Sequence, residues 1–507
     1  MILARARLTA GVRMTLALAV GAAALASGGA ALAHPGHDHR LVAVPVADPS
    51  AAPATSERHW LAGDHHVHSE FSADYKPGAD PKATPAPIVG GDSRNTIPTN
   101  ARMAQQHGLA WMVSTDHGGP NHSQLNRDQA YPELLKARRE APGLILFFGM
   151  ELNTPGADHS SLIIPHTPAE RDVLFDLERR FDKREAWPTD PARDEEPKMV
   201  DALRYMQAIP SPPVVIANHP SRSATGLGVY GLDRPSELRD WNDAAPKVAV
   251  GMEGAPGHQA GGLKPDGSQD AEGFRGSYSR SPTMGGFDQM TARLGGFWDS
   301  MLGEGRRWWI TSTSDSHRHY TTGGSDFWPG EYSKTYVLAA RTHADVLDGL
   351  RNGRVFVTLG DLVSEVGVTA SASGRSAAIG ETLKVKRGED VTVTIRVRDP
   401  SGPNFSGASP SVARIDLIGG DVLGPAQDRT LDVNPTTRVV QRFGAPQWER
   451  QGEVLTMTHV LPKVDRSGYV RVRGTAGTEL EPQIDPAGEN PWSDLWFYAN
   501  PIFIEVD

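Results

Sequence analysis

The amino-acid sequence predicts an α/β protein, a barrel of about seven strands followed by a smaller all-β sandwich. Short apolar runs recur through residues 60–313, most of them separated by enough helical or loop material for a crossover. Past residue 364 the pattern changes to alternation of apolar and polar residues with turn-rich spacers. A length of 507 residues with 38% hydrophobic content supports one large core and a second, smaller one.

The chain opens with Arg5, Arg7 and Arg13, an apolar run over 16–25, and the small-residue stretch Ala31-Leu32-Ala33. That order predicts a cleavable signal peptide over 1–33, a mature chain beginning at His34, and a periplasmic or secreted destination. The apolar run is short and rich in Ala and Gly, which argues against a permanent membrane anchor. His34, His37 and His39 precede an Ala- and Pro-rich stretch, so 34–57 reads as a flexible linker with a solvated histidine tail. Because the chain has no cysteine, any metal must be held by nitrogen and oxygen. A formal charge of −10 disfavours nucleic acid and anionic membrane, and a small molecule is the expected partner.

The barrel is expected over 58–362. Its apolar runs are 60–66, 110–114, 144–150, 160–164, 213–217, 247–252 and 308–313, each the length of a buried parallel strand. Helical crossovers fit 100–107, closed by Gly108, and 131–140, while 169–209 reads as a charged, mostly helical insertion. Thr342-His343-Ala344-Asp345 has the capping-box pattern and opens a short helix to Leu350. In the second unit, 363–507, Val391, Val393, Ile395 and Val397 share one face, and Thr392, Thr394, Arg396 and Arg398 the other. Segments 412–418, 454–460, 469–473 and 496–506 continue this alternation and predict the sandwich. It holds no cluster of reactive side chains, so its expected role is packing or docking.

Barrel enzymes carry their chemistry at the C-terminal ends of the strands, and nearly every predicted strand here ends in His, Asp or Glu. After the first comes Asp64-His65-His66-Val67-His68, where period-2 geometry puts His66 and His68 on one face and turns His65 away. After the last comes Asp315-Ser316-His317, the same device. Between them lie Asp116-His117, Glu151, His159 and Asn218-His219. One such histidine alone is more often structural, but their coincidence at strand ends points to a metal cluster. Imidazole and carboxylate without thiolate suit zinc, manganese or iron, with a carboxylate shared between adjacent ions.

Read in order, Gly-Asp-His-His-Val-His-Ser from Gly63, Asp74, Ser-Thr-Asp-His-Gly from Ser114, Gly-Met-Glu-Leu-Asn from Gly149 with His159 after it, Asn218-His219-Pro220 and Ser-Asp-Ser-His from Ser314 form an ordered set. The set resembles the PHP family, named for polymerase and histidinol phosphatase. The resemblance implies a distorted seven-stranded (β/α) barrel holding two to three divalent metal ions. It further implies that His66, His68, Glu151 and Asp315 hold one ion, and that Glu151 bridges to a second held by His159 and His219. A third would be held by Asp74, His117 and His317; here the family's usual Ser-Asp-Gly reads Ser72-Ala73-Asp74-Tyr75. Asp116 is read as orienting a ligand. The closing stretch Trp-Phe-Tyr-Ala-Asn-Pro-Ile from Trp496 resembles the tail of a branch that includes exported phosphoesterases and a carbaryl-type carbamate hydrolase.

The expected reaction is attack on a phosphate mono- or diester by a hydroxide held between metals, with no side-chain nucleophile. Arg222 is a candidate phosphate contact, because a guanidinium binds two oxygens at once, and an exposed loop arginine is the alternative. The long glycine-rich loop 253–286 carries His258, a candidate general acid, with Gln259 and Lys264 beside it. The plainer reading is that Glu253 and His258 are bonded to the loop. Arg318, His319 and Tyr320 are expected at the mouth of the site, whereas His107, His122, His166, His343 and His459 lie outside any motif and read as structural. Two rival functions stay open: hydrolysis of a carbamate, amide or carboxylic ester at the same centre, and an exported metal-binding protein without turnover.

Overall fold

The apolar runs fold as β1 (His59–Asp64), β2 (Trp111–Ser114), β3 (Ile145–Asn153), β4 (His159–Ile163), β5 (Val214–Asn218), β6 (Ala249–Ala255) and β7 (Trp309–Ser312). All are almost wholly buried, as continuous apolar strands must be. The computed structural model describes residues 57–76 and 82–507. The expected signal peptide 1–33, and the linker except Glu57, lie outside them.

The strands are hydrogen-bonded in chain order. The pairs β1–β2, β2–β3, β5–β6 and β6–β7 are parallel. Strand β4 departs from the expected parallel pattern, since it runs antiparallel to both β3 and β5. The reason is the spacer: residues 154–158 make a tight turn closed by Thr154 N to Asp158 O, far too short for a parallel crossover.

The helices lie in the connections between strands. They are α1 (Ile97–Gln106), α2 (Tyr131–Glu140), α3 (Glu170–Phe181), α4 (Glu196–Ala208), α5 (Pro235–Ala244), α6 (Phe297–Gly303) and α7 (His343–Arg351). Thr96 caps α1 by accepting from Thr99 N, and Thr342 caps α7 by accepting from Asp345 N, both at 3.2 Å. Among the described residues no helix is long and apolar enough to cross a membrane.

On the other edge of β1 the sheet continues antiparallel through β8 (Ser333–Ala339) and β9 (Val355–Leu359). Strand β7 returns toward β8, where Ser312 N donates to Thr335 Oγ1 at 2.8 Å. Just beyond, Val67 bridges Ser316 in parallel, and His68 N donates to Ser316 O at 3.1 Å. The segments that follow the first and last strands of this run are thereby joined where His68 and Asp315 stand.

Beyond β9 come β10 (Glu365–Ala372), β11 (Arg375–Ala378), β12 (Thr382–Val385), β13 (Glu389–Arg398), β14 (Arg414–Asp421), β15 (Arg438–Phe443), β16 (Glu449–Gln451), β17 (Val454–Val464), β18 (Gly468–Thr475) and β19 (Trp496–Val506). Five of them form a separate antiparallel sheet, β11-β10-β13-β17-β16, with Val391, Val393, Ile395 and Val397 buried. The others join the large sheet, because β19 pairs with β9, β18 and β12, and β14 lies between β15 and β18. The protein is thus a mixed α/β structure on a 14-stranded mixed sheet, whose hydrogen bonds run unbroken across position 362. All described residues belong to one compact unit.

Two contacts tie the C-terminal strands to the rest. Asp299 of α6 takes both arms of Arg471 at 2.8 and 2.7 Å, with both side chains buried. The Asn500 side chain accepts from Ile310 N at 3.0 Å and donates to Ile310 O at 3.3 Å, so it serves as a hydrogen-bonding partner for β7.

Candidate metal centre

His66 and His68, which follow β1, are each held through Nδ1 and turn Nε2 toward carboxylates. His66 Nδ1 donates to Glu253 Oε1 at 2.7 Å and turns Nε2 to 3.1 Å from Glu151 Oε1, 3.0 Å from Asp315 Oδ1 and 3.4 Å from the Asn218 amide nitrogen. His68 Nδ1 donates to Ser72 Oγ at 2.7 Å, and Ser72 passes its own proton to Asp116 Oδ1 at 3.0 Å. His68 Nε2, buried and without a hydrogen-bond partner, lies 3.1 Å from Asp315 Oδ1. His65 faces the other way, between Ser161 Oγ at 3.0 Å and Thr311 Oγ1 at 2.8 Å, and burial pushes its pKa down to about 4.

The remaining strand ends complete the cluster. Glu151 Oε1, on β3, is 3.0 Å from His159 Nδ1 and 3.0 Å from His219 Nε2. Burial would raise the Glu151 pKa, but the charges of His159 and His66, with hydrogen bonds from His159 and His219, hold it well below the usual carboxylate range. Asp315 is buried too, and His258 and His66 likewise hold its pKa well below that range. Carboxylate oxygens and imidazole nitrogens that converge to about 3 Å from several strand ends are the donor set of a metal site, where a cation would take the place of the protons between them. Five sets among the described residues have ligand atoms that all lie within 4.8 Å of one another; three are His66, His68 and Asp315; His66, Glu151 and His219; and His68, His117 and His317, and one, Asp485, Glu489 and Asp494, lies apart in the C-terminal segments. These buried groups can hold metal ions.

The structure therefore brings together His66, His68, His117, Glu151, His159, His219, Asp315 and His317. It does not bring Asp74 to His117 and His317. Asp74 is exposed on a two-residue strand, Asp74–Tyr75, paired with Pro87–Ile88. Asp92 stands there instead, its Oδ2 3.1 Å from His117 Nε2 and 3.2 Å from His317 Nε2. The turn behind this exchange needs Gly91, since a Cβ there would lie 2.7 Å from Asp74 Cβ.

Three residues in or beside the cluster have strained backbone. His219, His258 and Asp315 adopt positive φ of 31°, 54° and 48°, a costly conformation for residues with a Cβ that marks functional sites. Gly257 lies against Asp315, where a Cβ would be 2.0 Å from the Asp315 Cβ.

His258 lies between two carboxylates, with Nδ1 2.5 Å from Asp326 Oδ1 and Nε2 2.9 Å from Asp315 Oδ2. Burial would lower its pKa, but those two charges hold it well above the usual imidazole range. With His317 and Asp326 it also forms a further set able to hold an ion. Arg222 is tied to Asp158, with Nη2 2.6 Å from Oδ1, and lies 3.3 Å from His159 Nδ1. The Arg318 guanidinium has no ion-pair partner among the described residues. Both arginines line a cavity of about 350 Å³ that opens on Glu151, His159, His258 and His317.

Sequence reasoning missed Asp92 and Asp326 and gave Glu253 no role beyond its loop. Glu253 grips His66, accepts from His219 N at 2.6 Å and accepts from Thr313 Oγ1 at 2.8 Å. Asp326 accepts from His317 N at 2.6 Å and Arg318 N at 2.7 Å. Its only sequence signal is proximity to the last ligand pair. The other histidines lie apart from the cluster: His107 packs edge-on against Phe405, His122 pairs with Glu178, His166 and His343 pack together, and His459 is on β17. His319, expected at the mouth, is bonded to Glu331 Oε2 at 2.9 Å.

No family model matches the chain, and no curated protein matches it.

Proposed function

We propose that the chain is an exported, metal-dependent phosphoesterase of the PHP family that cleaves small-molecule phosphate esters. On this reading β1 to β7 form the distorted seven-stranded barrel and 363–507 the β-sandwich. The joining of Val67 to Ser316 and the return of β7 to β8 support closure of the barrel. The observation that carries the reading is Glu151, with one oxygen within 3.1 Å of nitrogens from His66, His159 and His219.

His66, His68, Glu151 and Asp315 would hold one ion, Glu151 with His159 and His219 a second, and His117, His317 and Asp92 a third. Bound divalent ions supply Lewis-acid polarisation of the ester and activation of water at neutral pH. The chain's own groups do the rest. Glu253 and the Ser72–Asp116 pair hold the imidazoles of His66 and His68 in their ligating orientation. Arg318, exposed at the cavity, and Arg222, steadied by Asp158, present positive charge to an anionic phosphoryl group, which favours it over a neutral carbamate. His258 carries a proton at Nε2 and delivers it to the departing oxygen.

The test is elemental analysis of the purified chain with hydrolysis assays on a phosphomonoester, a phosphodiester and an aryl carbamate, after loading with manganese, zinc or iron. Two to three ions per chain with phosphoester turnover, both reduced in His66→Ala, is the expected result. Carbamate turnover alone would move the reading to carbonyl hydrolysis, and metal without turnover to a metal-binding protein. A chain that takes up no metal would refute all three.

A further inference from the structure

The metal cavity has a neighbour. A second cavity of about 360 Å³ adjoins it, and both are lined by Asp92 and His117. Their walls differ in kind. Both hold carboxylates, an imidazole and a guanidinium, but only the second adds the aromatic rings of Tyr75 and Trp187, with Pro120, Gly118 and Gly119 beside them. Arg184, Thr189 and Asp74 are exposed along its polar margin.

The Tyr75 ring rests on Gly119, where a Cβ would stand only 3.0 Å from it. Trp187 is half-buried, and its indole Nε1 is sealed from solvent without a hydrogen-bond acceptor among the described residues. Arg184 has no ion-pair partner among the described residues. Two aromatic side chains lining one cavity favour a planar ring, which gains face and edge contacts that an alkyl chain cannot make. The exposed Arg184 guanidinium is the donor at the margin that an acceptor on that ring can reach.

We propose that the leaving alcohol of the ester carries a flat aromatic ring that occupies this second cavity, with Trp187 and Tyr75 setting the preference. The inference rests on the phosphoesterase reading of the adjoining centre, and it gives Asp74 a place in the pocket wall instead of in the metal cluster.

The test uses the metal-loaded full chain and two non-hydrolysable probes, benzylphosphonate and ethylphosphonate, titrated by calorimetry, with ethyl phosphate hydrolysis measured separately. Benzylphosphonate is expected to bind about tenfold more tightly. That preference should fall below about threefold in Trp187→Ala and survive in Trp187→Phe, compared at matched metal content. Equal affinities in the wild-type chain, or a preference unmoved by both Trp187→Ala and Tyr75→Ala, overturn the ring pocket even where ethyl phosphate is cleaved. Preference intact without cleavage of ethyl or benzyl phosphate overturns the phosphoesterase reading instead, and with it the assignment of the ring to a leaving alcohol.

Discussion

Glu253→Gln is predicted to weaken metal binding without removing a single ligand atom. The carboxylate is fully buried and accepts three hydrogen bonds, from His66 Nδ1 at 2.7 Å, Thr313 Oγ1 at 2.8 Å and His219 N at 2.6 Å. An amide of the same shape has one oxygen and one NH2. If the oxygen stays with His66 and Thr313, the NH2 faces His219 N, and a buried N–H left without an acceptor costs about 1–3 kcal/mol. If the amide flips, His66 loses the acceptor that fixes its tautomer. Loss of such outer partners lowers metal affinity by about 10- to 100-fold, or about 1.4–2.7 kcal/mol, in agreement with the hydrogen-bond figure. Competition for zinc against a chromogenic chelator, run on the wild-type chain and on the variant, reads this directly. An affinity within about twofold of wild type would refute the reasoning, since the orienting role of Glu253 could then not contribute even the low end of that range.

Three further outcomes follow from other parts of the molecule. Asp92→Asn should lower the metal content by about one ion per chain and leave the Glu151 pair filled, as measured by elemental analysis. Asp299→Ala strands the buried Arg471 charge and should cost about 3–5 kcal/mol in urea unfolding; a loss below about 1 kcal/mol would show that Arg471 finds another partner. Burial would lower the His122 pKa, but the Glu178 charge and hydrogen bond raise it to about 9, so the folded chain holds that proton more tightly than the unfolded chain does. This contribution is complete below about pH 6.5 and is lost as pH rises through about 9. In His122→Gln the fall in stability across that window should be shallower, as followed by chemical denaturation at fixed temperature.

Much of the candidate metal centre is legible in the sequence because its residues at strand ends sit beside the strongest patterns in the chain. The pairs His66/His68 and Asp315/His317 abut buried apolar runs, and the residue pattern alone is enough to locate them. Asp92 and Asp326 lie beyond reach for the opposite reason: each is in a loop with no periodicity, brought to the cluster by a turn. The period of β4 is equally plain, but its direction is hidden in a spacer whose brevity matters more than its composition. In the C-terminal segments alternation predicts strands without naming their partners. Whether β19 pairs within its own unit or with β9 depends on edges exposed elsewhere in the fold.

The pairing of β19 with β9 also sets an order of assembly. Ribosomes deliver β19 after every other strand of the fold, so β9 must wait with an open edge, and β7 without the Asn500 side chain that hydrogen-bonds to Ile310. An open edge is a template for pairing with another molecule. A chain in which β19 has not docked therefore leaves β9 open to a foreign strand, even though it already carries every residue of the candidate metal cluster.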